Sequence, residues 1–224
     1  MTTSQNIWKT KGPLMIRQKR RAQIVKRSLT DRNVNMILDI GCAEGYTTSF
    51  ISETSALVVG VELNKDSLKI AKSKVNTASF INASLEYLPF REDTFDAVSI
   101  LEVLEHLPVE LQHNGMKEAN RVLRPNGFLL LSTPYKELIS YTNCIYCKRD
   151  TPLWGHLHSL DENKITDLLP SHFKLTRKCI LPNFPIISCS NILESLPLSA
   201  WLLINNSLGL ISKGYWIVLR YLKT

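Results

Sequence analysis

Long apolar runs are missing from these 224 residues: the strongest, AWLLI at 200–204, stops at Asn205 and Asn206, far short of a bilayer-spanning helix. The basic opening thirty residues lack the apolar block of a secretory signal. Cysteines number only five, an odd count and too sparse for a disulfide framework, which suits a reducing compartment. Repeats and low-complexity tracts are absent as well. These absences argue against spanning, disulfide-stapled and repeat architectures and predict one cytoplasmic domain over 1–224. The 44% apolar and 21% charged composition is enough to build its core.

Excess positive charge is also missing beyond residue 32. The formal net charge is +7, yet residues 1–32 hold nine Lys or Arg against Asp31 alone, so the rest is close to neutral. That distribution argues against a uniformly basic nucleic-acid binder, and no aromatic stacking platform is evident. Segment 1–32 reads as a basic, weakly amphipathic helix. It either presents a solvated face or meets an anionic surface through Lys19, Arg20 and Arg21.

What is present is alternation. Strand patterns at 36–40, 56–63, 78–83, 95–101 and 127–133 are separated by helical ones, and 172–181 and 214–223 read as two late strands. This predicts an α/β, doubly wound, mostly parallel seven-stranded sheet with an antiparallel last strand. Two insertions interrupt it: a Cys/His stretch at 140–160 and an apolar, lid-like one at 182–212.

LDIGCAEGYTTSFI, residues 38–51, carries the chemistry. Gly41 ends a strand and Gly45 opens a helix, so bare backbone can approach a ligand. A dinucleotide fingerprint would need a glycine where Ala43 stands, and Glu44 would repel a pyrophosphate. Asp39 suits a cationic ammonium, and Glu62, ending the second strand, suits two ribose hydroxyls. A ligand with a ribose, an amino group and no phosphate fits these parts.

With ILDIGCAEG, VVGVELN, INASLEYLPFREDTFDAVSILEVLEHL and EANRVLRPNGFLLLSTP in order, the chain resembles the class I S-adenosylmethionine-dependent methyltransferases, closely over 36–133 and loosely over 15–224. The resemblance implies a Rossmann-like methyltransferase fold and S-adenosylmethionine as cofactor. Asp39 and the turn Gly41, Cys42, Ala43, Gly45 and Tyr46 would hold its methionine part, and Glu62 its ribose. Leu63 would pack on the adenine, Ser84 and Leu85 would edge it, and Leu101 and Glu102 would finish the methionine pocket. Two departures stand out: Ala43 replaces a glycine, tolerable if its backbone angle is ordinary, and Ser84 stands where the family more often has an acid.

A sulfonium methyl is already activated, so the protein mainly aligns the acceptor and excludes water. His106 is the candidate for substrate contact or proton removal, with a structural role as its alternative; Glu105 reads as a solvated helix-start carboxylate. The apolar insertion suits a small-molecule or lipid-like acceptor. RNA or protein modification through the basic segment, and a non-catalytic cofactor-binding domain, are the competing readings. Finally, Cys144 and Cys147 have C-x2-C spacing and, with His156 and His158, make four ligands for a structural zinc. Two reduced cysteines and two histidines near the substrate mouth are the alternative.

Overall fold

The computed structural model describes residues 7–9, 13–30, 34–54, 56–182, 195–209 and 214–224. Helices are α1 (Pro13–Leu29), α2 (Tyr46–Ile51), α3 (Lys65–Lys74), α4 (Val109–Val122), α5 (Glu162–Asp167) and α6 (Leu198–Gly209). Strands are β1 (Met36–Ile40), β2 (Leu57–Glu62), β3 (Ala78–Asn82), β4 (Phe95–Leu101), β5 (Leu123–Pro134), β6 (Tyr141–Asn143), β7 (Asp150–Pro152), β8 (Phe173–Pro182) and β9 (Gly214–Lys223). Seven form one sheet in the order β3-β2-β1-β4-β5-β9-β8, with β9 antiparallel to both its neighbours, as the alternation predicts.

The central strands β1, β4 and β5 form where both faces are covered, so their sequences run apolar without alternation. On one face Leu38, Ile40, Val98, Ile100, Leu129 and Leu131 pack with Met116 and Ala119 of α4 and Ile165 of α5. On the other, Ile37, Ala97 and Leu130 pack with Ile24, Val25 and Leu29 of α1 and Trp201 of α6. Side chains capping first turns fix two helix starts: Asn64 accepts from the Asp66 and Ser67 amides, and Asp161 from those of Asn163 and Lys164.

Two sequence readings change. The Cys/His insertion contains an antiparallel hairpin, β6 with β7, too short and exposed to leave a periodic signal. Of the apolar insertion at 182–212, residues 183–194 and 210–213 lie outside the described ones; α6 occupies most of the remainder. Among the described residues no helix is long and apolar enough to cross a membrane.

Candidate functional site

The carboxyl ends of β1, β2 and β4 meet at the turn 41–45. The Gly41 and Cys42 amides both donate to the Val61 carbonyl, at 2.8 and 3.1 Å, tying the turn to β2. Glu62 then closes it: one carboxylate oxygen accepts from the Ala43 amide at 3.0 Å and the other from the Asn64 amide at 2.7 Å. Its charge is thus held at the strand end by fixed donors. Beside it, Leu63 is 70% exposed, an apolar side chain with open space over it.

The backbone here is unusual for its side chains. Gly41 and Gly45 have φ of +73° and +79°, as glycines readily do, but Ala43 has +46° and Glu102 +58°. The condition under which Ala43 is easily tolerated is therefore not met: it occupies the left-handed region, where a side chain costs about 1–2 kcal/mol. Non-glycine residues in that region cluster where function over-determines the backbone.

Asp39 differs from its reading too. It is 2% exposed, and its two oxygens accept hydrogen bonds from Thr48 at 2.6 Å and Ser99 at 2.8 Å. Burial raises its pKa, against these hydroxyls, which lower it. In this structure the Asp39 carboxylate clamps α2 to β1 and β4. Cys42 is buried, and burial pushes its thiol pKa up, so the turn carries no reactive thiolate. Tyr46 lies between the rings of Trp8 and Phe50, at 5.5 and 5.4 Å, while Trp8 donates to the Glu44 carbonyl at 2.8 Å. The segment Ile7–Lys9 thus packs over the turn.

Ser84 is half-buried, and buried Leu85 lies against Gly115. At the end of β4, Leu101 is buried and Glu102 accepts from the Ser132 hydroxyl at 2.6 Å. Glu102 also pairs with Arg21 of α1 at 2.9 Å. This corrects the reading of the basic segment as a solvated face. Arg20 and Arg21 are 2% and 5% exposed, and three α1 arginines stack on rings: Arg17 on Tyr215, Arg20 on Trp201, Arg21 on Trp216. Sequence reasoning missed Arg21 as a site residue. The signal was there in its spacing of four from Val25, which puts it on the apolar face of α1.

Glu105 is corrected as well. It is 1% exposed rather than solvated, and both carboxylate oxygens are buried with no hydrogen-bond partner. Burial first, then the nearby Glu102, push its pKa up to about 8. Its neighbour His106 has its pKa lowered, chiefly by burial, and its Nδ1 lies 3.2 Å from the Gly155 carbonyl. Because a carbonyl only accepts, Nδ1 carries the proton and Nε2 the lone pair.

The four-ligand zinc set is corrected as a grouping. Cys144 and Cys147 stay together in the β6–β7 loop, where the Cys147 amide and thiol lower the Cys144 pKa. His156 does not join them: its Nδ1 bonds the Glu137 carboxylate and its ring packs on His106, centroids 4.8 Å apart. Among the described residues, the one group of three or more ligating side chains is Glu105, His106 and His156, so His158 also stands apart. The chain turns back at Gly155, φ +73°, and the Leu157 and His158 amides both donate to the Glu105 carbonyl. That anchors 155–158 to the end of β4 instead of to the hairpin tip.

Strand order and the glycine turn after the first strand together match a Rossmann-like methyltransferase fold. Residues 38–131 match the family model described as a methyltransferase domain. A Mycolicibacterium smegmatis protein named "Probable S-adenosylmethionine-dependent methyltransferase" is 30% identical over 152 residues, 67% of this chain and 56% of that one. A demethylmenaquinone methyltransferase of Staphylococcus aureus is 29% identical over 167 residues, 68% of each chain. The N-methyltransferase NodS of Bradyrhizobium japonicum, solved with S-adenosyl-L-homocysteine, superposes with a TM-score of 0.64 at 16% identity, covering 93% and 87% of the two chains; this likeness shows the fold. The chain spans about half the length of the first curated relatives it matches.

Proposed function

We propose that the chain transfers a methyl group from S-adenosylmethionine to a small, apolar acceptor. The observation that carries this is Glu62, a carboxylate fixed by two backbone amides at the carboxyl end of β2, beside exposed Leu63 and a turn that reaches a ligand with backbone alone. A ribose with two vicinal hydroxyls donates to such a carboxylate, the adenine lies on Leu63, and the turn and Glu102 enclose the methionine end. Attack by the acceptor on the methyl breaks the S–CH3 bond and leaves S-adenosylhomocysteine; a proton on the acceptor leaves to solvent or to a group at the site, of which His106 is the nearest candidate. Two observations support an apolar acceptor. Leu138, Tyr141, Ile145, Tyr146, Leu153 and Trp154 are all exposed around the β6–β7 hairpin, whose base touches His106 through Gly155. The name of the Staphylococcus aureus relative also denotes a quinone-type acceptor.

Calorimetry tests the cofactor. S-adenosylmethionine and S-adenosylhomocysteine are expected to bind, and NAD is not. Glu62→Ala is expected to remove about 1.5–3 kcal/mol or more, roughly ten- to 150-fold in affinity, because it deletes charged hydrogen bonds. Unchanged affinity in that variant would show that Glu62 does not hold the ribose.

A further inference from the structure

Glu105, His106 and His156 have a property that methyl transfer does not require. One ligating atom from each lies within 4.8 Å of the others. Each of the three is also prepared in a particular way. Glu105 brings a carboxyl group that is 1% exposed, with only its own amide and the Thr133 hydroxyl as nearby donors and neither in good hydrogen-bonding geometry, an arrangement that burial makes costly. His106 and His156 each have Nδ1 against an acceptor, the Gly155 carbonyl and the Glu137 carboxylate, so a neutral ring keeps its lone pair on Nε2. Outer acceptors of these two kinds are what orient histidines bound to metals and raise their basicity. The supports are rigid, since the Leu157 and His158 amides hold the Glu105 carbonyl at 2.7 and 3.2 Å and so bind the two ligand-bearing segments together.

We propose that Glu105, His106 and His156 form a site for one divalent first-row transition metal ion, with Glu137 as the positioning residue for His156. Two imidazoles and one carboxylate suit zinc, iron or cobalt and leave coordination positions for water or an oxygen of an acceptor. Metal–ligand distances of about 2.0–2.2 Å require the three donors to close together from their present spacing. The binding site stands independently of the methyl-transfer reading. If both hold, the ion lies at the acceptor side of the pocket and favours acceptors that carry an oxygen able to bind it.

The test is titration of the metal-stripped full chain, purified without a histidine tag, with Zn2+ by calorimetry. One equivalent is expected to bind. Glu105→Gln and His156→Ala are each expected to weaken it at least tenfold, and Glu137→Gln to weaken it less. A Cys144→Ser/Cys147→Ser variant is expected to retain it. Zn2+ affinity unchanged in Glu105→Gln and His156→Ala, or lost in the cysteine variant, would overturn the site. S-adenosylhomocysteine binding is measured on the same samples. Its retention in His156→Ala shows a folded protein, and its absence in the unaltered chain would count against the methyltransferase reading alone.

Discussion

Gly41→Ala is expected to destabilise the protein by about 2–5 kcal/mol. Two terms contribute. Gly41 has φ of +73°, where a Cβ costs about 1–2 kcal/mol. An added Cβ would also lie 2.3 Å from Cγ2 of Val103, a clash of the overpacking kind worth about 1–3 kcal/mol. The chain cannot shift freely to avoid it, because the Gly41 amide donates to Val61 at 2.8 Å and Val103 follows Glu102, itself at φ +58°. For a protein of this length the loss corresponds to roughly 2–4 °C in Tm per kcal/mol. Cofactor affinity should fall with it, since the turn that approaches the ligand is the part displaced. Combining Gly41→Ala with Val103→Ala should recover the steric term but not the backbone term, giving a favourable coupling of at least about 1 kcal/mol in a double-mutant cycle. A single variant that unfolds like the parent would show that the turn is not packed against the end of β4.

The contrast between that turn and the rest of the site explains what sequence can disclose. Gly41 and Gly45 are legible because the turn from strand to helix needs their positive φ, and Glu62 because it ends a strand. The strands themselves were legible because β1, β4 and β5 are buried on both faces and run apolar. Arg20, Arg21 and Glu105 were misread for one common reason. A charged residue in a sequence looks solvated, and only tertiary packing brings the Tyr215, Trp201 and Trp216 rings over α1 or closes the end of β4 over Glu105. His156 was read as a metal ligand, but pairing by proximity in sequence assigned it to Cys144 and Cys147. The Gly155 turn sends it to Glu105 and His106, some fifty residues away in the chain. Asp39 reads in the sequence as a partner for an ammonium, while its engagement by Thr48 and Ser99 depends on the register of β1 against β4, which pairs Asp39 with Ser99.

Arg21 is where the basic segment and the site become one structure, and its replacement tests that directly. It is the cation among three carboxyls: it pairs with Glu102 at 2.9 Å and lowers the pKa of both Asp39 and Glu105. Its guanidinium also covers the Trp216 ring at 4.7 Å. Arg21→Met keeps apolar volume against that ring but removes the charge, leaving Glu102 with the Ser132 hydroxyl and no cation. With the side chains of the pair only 7% and 20% exposed, breaking it is expected to cost about 3–5 kcal/mol, because one charge stays behind in a site with little water to solvate it. Arg21→Lys should lie between the two, retaining charge but not the planar stack. In the double variant Arg21→Met/Glu102→Gln no unpaired charge remains, and most of the stability should return. If Glu102 borders the methionine pocket as proposed, S-adenosylhomocysteine affinity should fall in Arg21→Met, because Glu102 loses its fixed position. Chemical unfolding and calorimetry on the three variants measure both effects. A surface arginine would change stability by no more than about 0.5 kcal/mol, so a shift that small with unaltered cofactor binding would return α1 to the solvated-face reading and detach it from the site.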